Sequence, residues 1–583
     1  MIKAEKLTFG FTSTLLFQDI SFSLEENCHC AMIGSNGTGK TTLMNLIREP
    51  KKYIYDGKLI LDGAGRIGYV SQFAIREGDQ SVSVYDYLCQ DFRELEQAIG
   101  DVCMEMESAE DMDALMERYQ NLLDESDAVD ADNHEVNIRR QLKLAELQDK
   151  EDLALESLSG GELKLVQIIR QMLRCPGLLI MDEPDVFLDF ENLNGLRDLI
   201  NAYKGTLLVV THSRYLLAHC FNRIWHLENG DLQEYVGNFN EYSCSRLQKK
   251  IDLKLASIAD EEEIQRINTL VERLRDDATE IIDPRIGRTL KSKVSYLNRL
   301  VTRQIKAPFV EIRQPEIKLP EVEPMEEPVE LLRLTDYSLS FEEKLLESVS
   351  FAVHAGEKVA LVGANGTGKT SMLREIWKNQ NPAICFSEEA KPAFFSQLHA
   401  EILKEQNTIY EELYDIGFNT PQEVEDYLRH YCFDPDSLGR KVGNLSGGEK
   451  NLLQLAKLAA GEANLLLLDE PSSHLDTFAQ MALEDAIAAY KGAVLMVSHD
   501  FYTIVNCADT ILFVEDGGIR PMSARAFRKM IYKKHFSKDY LELELQKKDF
   551  ETRIQRALEA GDCVEAQRFC DKLVAIVELM ENV

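Results

Sequence analysis

The chain has 583 residues, of which 45% are hydrophobic, enough to fill two or more globular domains. Its 99 acidic residues against 65 basic ones give a net charge of −34, and this balance excludes sequence-independent binding to nucleic acid over the whole surface. We find no run of about 18 uncharged apolar residues and no apolar signal-peptide core, so we expect no membrane association and a cytoplasmic location.

A glycine-rich loop lies near the N-terminus. Residues 34–42 read GSNGTGKTT, which fits the pattern G-x-x-x-x-G-K-[ST]. In this pattern backbone N–H groups and a helix N-terminus surround the β- and γ-phosphates, Lys40 supplies positive charge, and the Thr41 hydroxyl suits Mg²⁺. The loop therefore predicts a nucleoside triphosphate site formed by Gly34, Ser35, Asn36, Gly37, Thr38, Gly39, Lys40, Thr41 and Thr42.

Residues further along the chain supply the groups that hydrolysis needs. The apolar run LLIMDEP at residues 178–184 predicts a buried strand that ends in two carboxylates at the edge of a sheet. Asp182 suits Mg²⁺, and Glu183 is placed to polarise an attacking water. His212, after the next predicted strand, can contact the γ-phosphate. Gln72, after an earlier strand, is a metal-binding and catalytic candidate for the same site.

An insertion distinguishes the first half of the chain from the second. The interval from Gln72 to Ser159 is about 38 residues longer than the interval from Gln397 to Ser446. The excess falls near residues 91–145, which are rich in Glu, Leu, Met and Ala, and it has the size of a helical pair. A functional helical arm and a plain solvated excursion are the two alternatives.

A charged connector follows the first half. Residues 241–282 are predicted to form one long helix, Asp283-Pro284 interrupts it, and a second helix runs to about Lys306. From Arg285 onward this second segment has no acidic residue and seven basic ones: Arg285, Arg288, Lys291, Lys293, Arg299, Arg303 and Lys306. Clustered Lys and Arg bind phosphate backbones, so the segment is predicted to contact RNA. Alternatively, the basic face pairs with the acidic residues 260–263 of the first helix.

The second half repeats the motifs of the first in the same order. Its glycine-rich loop, GANGTGKTS, consists of Gly363, Ala364, Asn365, Gly366, Thr367, Gly368, Lys369, Thr370 and Ser371. The catalytic candidates are Gln397, Glu470 and His499, and the candidate metal ligands are Thr370, Gln397 and Asp469. Two complete sets in one order indicate a duplicated α/β domain with a mostly parallel sheet.

Both halves also contain the string LSGGE between the loop and the Asp-Glu strand, at residues 158–162 and 445–449. This string is the signature of ABC ATPases, and both halves resemble that family. The resemblance implies that the two domains sandwich two ATP molecules head to tail. The site built on Lys369 would be completed by Ser159, Gly160 and Gly161, and the site built on Lys40 by Ser446, Gly447 and Gly448. Phe11 and Phe341 would stack on adenine, with a role as core aromatics as the alternative.

More local strings resemble the ABC-F group of that family. Residues 470–476 read EPSSHLD, residues 210–216 read VTHSRYL, and residues 236–239 read VGNF just before the connector. The resemblance implies a monomer whose two ATPase domains pair within one chain. It also implies binding to the bacterial ribosome and its rRNA in the ATP-bound state, with the connector near tRNA and the peptidyl-transferase centre, and release after hydrolysis.

The first domain departs from the group after its catalytic carboxylate, where Asp185, Val186 and Phe187 replace Thr, Asn and His. The two sites are therefore expected to differ in hydrolysis. The departure favours ribosomal protection that confers antibiotic resistance, with a translation or stalled-ribosome factor as the other member of the group. An ATP-binding subunit of a membrane transporter and a non-catalytic, ATP-gated scaffold are the alternatives outside it.

The expected architecture is α/β, with two tandem ABC-type P-loop ATPase domains joined by a long helical hairpin. The first domain spans residues 1–240, and residues 241–327 form the hairpin and an acidic, Pro-rich tether. The second domain spans residues 328–530, and residues 531–583 form a helical extension split near Gly561. We expect this extension to pack on the second ATPase domain.

Overall fold

A computed structural model describes residues 2–11, 14–61, 66–72, 79–106, 112–174, 176–186, 188–280, 291–299, 315–323, 329–340, 344–414, 416–418, 420–535 and 538–581. The chain divides into two compact units, each made of two stretches of sequence. The first unit comprises Met1–Asn238 and Arg313–Lys529, and the second comprises Phe239–Ile312 and Met530–Val583.

The first unit contains two copies of one α/β arrangement. The first copy has strands β1 (Ile2–Phe11), β2 (Thr14–Leu24), β3 (His29–Ile33), β4 (Asp56–Leu61), β5 (Ile67–Val70), β6 (Leu178–Asp182), β7 (Thr206–Val210), β8 (Arg223–Glu228) and β9 (Asp231–Val236). Its helices are α1 (Lys40–Arg48), α2 (Val84–Met106), α3 (Met112–Ala128), α4 (His134–Leu144), α5 (Gly160–Leu173), α6 (Phe190–Ala202) and α7 (Arg214–His219).

The second copy follows the same plan. Its strands are β10 (Glu330–Ser340), β11 (Lys344–His354), β12 (Lys358–Gly363), β13 (Ile384–Phe386), β14 (Pro392–Phe395), β15 (Leu465–Asp469), β16 (Ala493–Val497), β17 (Thr510–Glu515) and β18 (Gly518–Ser523). Helices α8 (Phe239–Glu280) and α9 (residues 291–299) precede this copy in the chain. The helices of the second copy are α10 (Lys369–Lys378), α11 (Ile409–Tyr414), α12 (Pro421–Arg429), α13 (Gly447–Ala459), α14 (Thr477–Ala489), α15 (Phe501–Cys507) and α16 (Ala524–His535).

A six-stranded sheet forms the centre of each copy. The strand orders are β5-β6-β7-β3-β8-β9 and β14-β15-β16-β12-β17-β18, and only the last strand of each is antiparallel. The central strands are short apolar runs that are buried along their whole length, as parallel strands covered on both faces must be. At their carboxyl ends Asp182 lies opposite Val210 and Asp469 lies opposite Val497. The predicted tandem α/β domains are confirmed.

Helices α5 and α13 begin at the LSGGE strings. Ser159 accepts a hydrogen bond from the Glu162 backbone, and the Glu162 side chain accepts one from the Ser159 backbone. Ser446 and Glu449 form the same reciprocal pair. This capping box satisfies backbone donors that a helix N-terminus leaves unpaired. It fixes the start of each helix next to the two glycines.

Residues 91–145, where the insertion was predicted, contain most of α2 together with α3 and α4. Helix α2 is anchored to α5 through Asp91, whose carboxylate accepts hydrogen bonds from Arg170 at 2.8 and 3.0 Å and from Arg174. Burial alone would raise the pKa of Asp91, but the bonds from Arg170 and Arg174 lower it to about 2. The guanidinium of Arg170 also stacks 4.4 Å above the ring of Tyr87.

We expect Asp91→Asn to lower the free energy of unfolding by about 2 kcal/mol at pH 7, because the carboxylate is replaced by a weaker acceptor beside two cations. The folded pKa lies below the unfolded one, so this contribution is present above pH 4 and is lost as the pH falls toward 2. Chemical denaturation of the wild type and the variant at pH 7 and at pH 3 measures the loss of stability at each pH. Asp101→Asn, at an exposed position of the same helix, is the control. Equal effects of the two substitutions would contradict the anchor.

The second unit is helical. Its helices are α8 (Phe239–Glu280), α9 (residues 291–299), α17 (Lys538–Glu559) and α18 (Cys563–Glu581). Helix α8 agrees closely with the long helix predicted for residues 241–282, and Tyr296 of α9 donates a 2.7 Å hydrogen bond to Glu263 of α8. In the described part of the chain, no helix combines the length and the apolar character needed to cross a bilayer.

The C-terminal extension packs against α8 within the second unit, a partner that the sequence did not predict. The core of α17 and α18 is formed with the first part of α8 and comprises Cys244, Leu247, Ile251, Ile554, Ala557, Leu558, Ala566, Cys570, Leu573 and Val577. Gln248 and Gln567 exchange hydrogen bonds of 2.7 and 2.8 Å, and Lys547 donates one to Asn240. The periodicity of the extension predicted its helices, but a periodic apolar face does not specify which surface covers it.

Candidate nucleotide sites

The first glycine-rich loop leads from β3 into α1. Lys40 is buried, and its ammonium donates hydrogen bonds of 2.9 Å to the carbonyl oxygens of Gly34 and Ser35. A Cβ at Gly34 would lie 2.1 Å from the carbonyl oxygen of Leu227, so only glycine fits here. Glu228 holds the other side of the loop by accepting bonds from the Ser35 backbone and hydroxyl. The motif gave no indication of Glu228.

Around this loop the structure brings together the predicted hydrolysis residues. Thr41 Oγ1 donates a 3.4 Å bond to Asp182, and Gln72 Nε2 donates a 2.7 Å bond to Glu183 Oε2. Burial, reinforced by neighbouring carboxylates, raises the pKa of Glu183 to about 7. His212 Nε2 lies 3.9 Å from Glu183 Oε1, and burial lowers the pKa of His212 well below its usual value. The imidazole is therefore neutral beside the Glu183 carboxyl group.

The Lys369 loop is stabilised by the same kinds of hydrogen bond as the Lys40 loop, at different distances. Lys369 donates to the carbonyl oxygens of Gly363 and Ala364 at 2.9 and 2.6 Å. Thr370 donates a 2.8 Å bond to Asp469, beside which the backbone of Gln397 lies.

The second catalytic candidate, Glu470, is held differently from Glu183. It accepts a 3.2 Å bond from the backbone N–H of His499. Burial raises the pKa of Glu470 to about 8 and lowers that of His499 to about 4. A neutral imidazole again faces the carboxyl group, with His499 Nε2 lying 3.6 Å from Glu470 Oε1.

The donor sets fit a nucleotide with Mg²⁺. In each copy a threonine hydroxyl and an aspartate at the end of a strand lie within hydrogen-bond distance, which is an oxygen set that Mg²⁺ prefers. Asp469 Oδ2 is buried and has no hydrogen-bond partner within the described ranges, as expected of a metal-ligating oxygen. Space is open around Gly37 and Gly366, where a Cβ would meet no atom within 4 Å. A bound Mg²⁺ would neutralise phosphate charge at these positions.

The two copies meet at these loops. Asn36 of the first loop donates its backbone N–H to Asp476 at 3.3 Å and its side-chain amide to the carbonyl oxygen of His474 at 2.8 Å. A Cβ at Gly448 would lie 1.9 Å from Asn36 Nδ2, so the Ser446–Gly448 string adjoins the Lys40 loop. In the opposite direction, Asn365 of the second loop donates its backbone N–H to Asp189 at 3.2 Å.

The Ser159–Gly161 string reaches the Lys369 loop through two residues of its own copy. A Cβ at Gly161 would lie 3.0 Å from Asn192 Nδ2, and Asn192 donates to the same Asp189 that contacts Asn365. The chain therefore brings each LSGGE helix to the loop of the other copy.

Of the two residues proposed to stack on adenine, the structure describes Phe11. Phe11 is 58% exposed and packs edge-on against Phe9, at 5.3 Å between ring centroids, so its outer face is open for stacking. Phe341 lies outside the described residues, as does Phe187 of the altered first-domain loop.

Pairing of the copies also involves a buried charge cluster that sequence reasoning missed. Arg214 of α7 contacts Glu484 of α14 and donates a 3.2 Å bond to Asp500. Its guanidinium lies 4.7 Å from the ring centroid of Tyr502. Arg214 belongs to the VTHSRYL string, but no sequence pattern indicated which partner it would meet.

We expect Gly448→Ala to lower ATP turnover about 10-fold. The added methyl group would meet Asn36 and the His474 carbonyl oxygen, which lies only 2.7 Å away and cannot rotate aside. Steady-state phosphate release measures the effect. Gly439→Ala in the same copy is the control, since a Cβ there meets no atom within 4 Å. Full activity of Gly448→Ala would contradict the close approach of the two copies at this point.

Comparison with known proteins agrees with this geometry. The ABC transporter family model matches residues 17–186 and 346–473, about half of the chain. The energy-dependent translational throttle protein EttA of Escherichia coli is 29% identical over 528 residues, covering 86% of this chain and 90% of EttA. ABC transporter F family member 5 of Arabidopsis thaliana is 26% identical, covering 88% of this chain and 75% of the relative.

The fold also resembles a solved structure of RNase-L Inhibitor. The TM-score is 0.52 at 20% identity, covering 91% of this chain and 92% of the other. The chain belongs to the ABC transporter family of ATPases. Within that family its homologues are ABC-F proteins, and it is an ATP-hydrolysing enzyme.

Proposed function

We propose that this protein is a cytoplasmic, ribosome-associated ATPase that binds the ribosome in its ATP-bound state and leaves after hydrolysis. Two features together support this proposal. Each nucleotide loop faces the LSGGE helix of the other copy, and the connector carries a basic segment on an otherwise acidic chain. The relative EttA is described as a translational throttle protein, which agrees with a role in translation.

ATP binding provides the switch in this proposal. The contacts from Asn36 to Asp476 and from Asn365 to Asp189 join each loop to the other copy. Phosphates bound at the loops would add bonds to the LSGGE strings of both copies, so ATP favours the paired state of the domains. Glu183 and Glu470 then act as general bases toward the attacking water, and loss of the γ-phosphate removes the added bonds.

The connector provides the contact with RNA. Helix α8 has 42 residues, which at 1.5 Å per residue extend roughly 60 Å. In the described part of the second helix Lys291 and Arg299 are exposed, and Lys293 is half-buried. The other four basic residues, Arg285, Arg288, Arg303 and Lys306, lie outside the described residues. Glu263, one of the acidic residues of α8, accepts a hydrogen bond from the Tyr296 hydroxyl. Among the described residues, the acidic face of α8 is therefore paired at this turn with a hydroxyl group and not with a lysine or arginine.

The finer proposal places this connector near tRNA and the peptidyl-transferase centre of the bacterial ribosome. In the antibiotic-resistance role it would displace a bound drug, and in the other role it would act on a translating or stalled ribosome. Deletion and overexpression in the native host distinguish the two. A change in drug sensitivity supports the resistance role, and unchanged sensitivity to ribosome-targeting drugs in both strains contradicts it.

Ribosome co-sedimentation tests the main proposal. The variant Glu183→Gln/Glu470→Gln should bind purified bacterial ribosomes in the presence of ATP and remain bound longer than the wild type, because hydrolysis is blocked. Binding with and without P-site tRNA measures the contribution of tRNA. Absence of ATP-dependent sedimentation of this variant would contradict the ribosome as the partner.

A matched pair of charge reversals tests the connector. Lys291→Glu/Lys293→Glu/Arg299→Glu should weaken ribosome binding at least 10-fold and reduce its salt dependence. Lys548→Glu/Arg556→Glu/Arg568→Glu changes the net charge equally at exposed positions of the C-terminal extension and is the control. Equal losses in the two triple variants would indicate a general charge effect and contradict a specific contact through the connector.

A further inference from the structure

Lys164 is a buried cation for which the nucleotide motifs provide no role. It lies on α5, one turn after the Ser159–Gly161 string, and is only 2% exposed. Its ammonium donates hydrogen bonds to the carbonyl oxygens of Ser71 and Gln72, the latter at 2.9 Å. A buried ammonium is retained only where acceptors and opposite charges compensate its lost hydration. Lys164 therefore fastens α5 to the backbone at Gln72.

The side chain of Gln72 contacts Glu183, the proposed general base of the Lys40 site. Gln72 Nε2 donates the 2.7 Å bond to Glu183 Oε2. A displacement of the Gln72 backbone of a few tenths of an ångström would change the direction in which the Glu183 carboxylate points. General-base catalysis depends on that direction, because the carboxylate must lie within hydrogen-bond reach of the attacked proton.

The first turn of α5, just before Lys164, is connected to the Lys369 site. The backbone N–H of Asn365 donates to Asp189, Asp189 accepts from the side chain of Asn192, and Asn192 lies against Gly161. A continuous set of contacts thus runs from the Lys369 loop through α5 to Gln72. Contacts of this kind can transmit a displacement when both ends are fixed to rigid elements.

The corresponding positions of the second copy lack these charges. Asn451 on α13 corresponds to Lys164, and Ser472 corresponds to Asp185. Burial lowers the pKa of Lys164 to about 8, and the negative charge of Asp185 opposes this shift. Asp185 also accepts a 2.6 Å bond from Thr211, which fixes it in place. Asn451 donates to the carbonyl oxygen of Ser473, away from the loop that contains Gln397.

The neutral amide of Gln454 holds that second loop, by bonding both backbone groups of Ser396. Glu470 is positioned by the backbone of His499. Among the described residues, a lysine ammonium thus connects the LSGGE helix, through Gln72, to the catalytic carboxylate of the first copy, whereas Asn451 does not make this connection in the second.

We propose that Lys164 is a positioning residue through which nucleotide binding at the Lys369 site sets the orientation of Glu183 at the Lys40 site. The negative charge of Asp185 favours the protonated form of the ammonium. The coupling is directional, because the second copy holds Glu470 by other contacts. Hydrolysis at the Lys40 site therefore depends on whether the Lys369 site is occupied. The proposal rests on the assignment of Glu183 and Glu470 as general bases.

Turnover of a protein with one active site tests this coupling. In the Glu470→Gln background, ATP hydrolysis reports the Lys40 site. The double change Lys164→Asn/Asp185→Ser introduces the neutral pair of the second copy and leaves no uncompensated buried charge. It should lower kcat at least 10-fold while KM for ATP changes less than about twofold. Lys164→Arg, which retains the charge and the donors, should keep at least a third of kcat.

A double-mutant cycle separates coupling from a general loss of structure. Asn192→Ala removes the side chain between Asp189 and Gly161 and should lower kcat of the Lys40 site about 5-fold in the Glu470→Gln background. In the presence of Lys164→Asn/Asp185→Ser it should have no further effect, because the path is already interrupted. Additive losses, or an unchanged kcat of the neutral-pair variant, would overturn the proposal. Residual hydrolysis by Glu183→Gln/Glu470→Gln at the wild-type rate would instead overturn the general-base assignment.

Discussion

Replacement of both Glu183 and Glu470 by Gln is expected to lower ATP turnover at least 100-fold while ATP binding is retained. A positioned general base contributes about 10²–10⁴-fold to such reactions, and the isosteric amide cannot accept the proton. The groups that hold the nucleotide, Lys40 and Lys369, are unchanged. Steady-state phosphate release and equilibrium binding of a fluorescent ATP analogue measure the two quantities separately.

The single variants serve as controls for this result. Each should retain turnover from the other site, and their residual rates measure how unequal the two sites are. The copies hold their carboxylates by different groups, Gln72 in one and the His499 backbone in the other, so we expect the rates to differ. A double variant with more than about a tenth of wild-type turnover would show that another residue activates the water.

Arg214→Met is expected to lower the free energy of unfolding by about 3 kcal/mol, since it leaves the buried Glu484 and the half-buried Asp500 without their cation. Arg214 is 10% exposed in its side chain and contacts Glu484 and Asp500 of the other copy. Thermal and chemical denaturation measure the loss, and added ATP should recover part of it because ligands that bind the paired state stabilise it.

Two further variants give this prediction its controls. Arg93→Met breaks an exposed ion pair with Asp86 and should cost less than about 1 kcal/mol. Arg214→Met/Glu484→Gln removes one of the stranded charges and should recover part of the stability. Equal destabilisation by Arg93→Met and Arg214→Met would show that the buried cluster does not stabilise the pairing of the copies.

The sequence predicted those features that depend on contiguous residues. The loops at Lys40 and Lys369 and the strands ending at Asp182 and Asp469 are short strings whose chemistry and conformation depend on each other. The capping boxes of α5 and α13 are likewise contained within five residues. Duplication of the whole set made the α/β repeat evident, because no single chance match reproduces an ordered series of motifs.

Other features could not be predicted, because they depend on which surfaces meet. Lys164 and Arg214 are basic residues on amphipathic helices, a position that usually indicates solvent exposure. Only the fold shows that Lys164 reaches the Gln72 backbone and that Arg214 meets Glu484. The packing of the C-terminal extension against α8 was not predicted, for the same reason. Its apolar face fits any complementary helix, and the sequence alone does not specify the partner.

The second unit has a consequence for how the protein is made. Residues 244–251 of α8 find their apolar partners in residues 554–577, which are synthesised about 300 residues later. At about 5–20 residues per second this delay is on the order of 15–60 s, during which the apolar side of α8 lacks its native cover. Newly made chains therefore pass through an intermediate that exposes this apolar surface. Premature termination within the last helices would leave the surface exposed permanently and make the connector prone to aggregation.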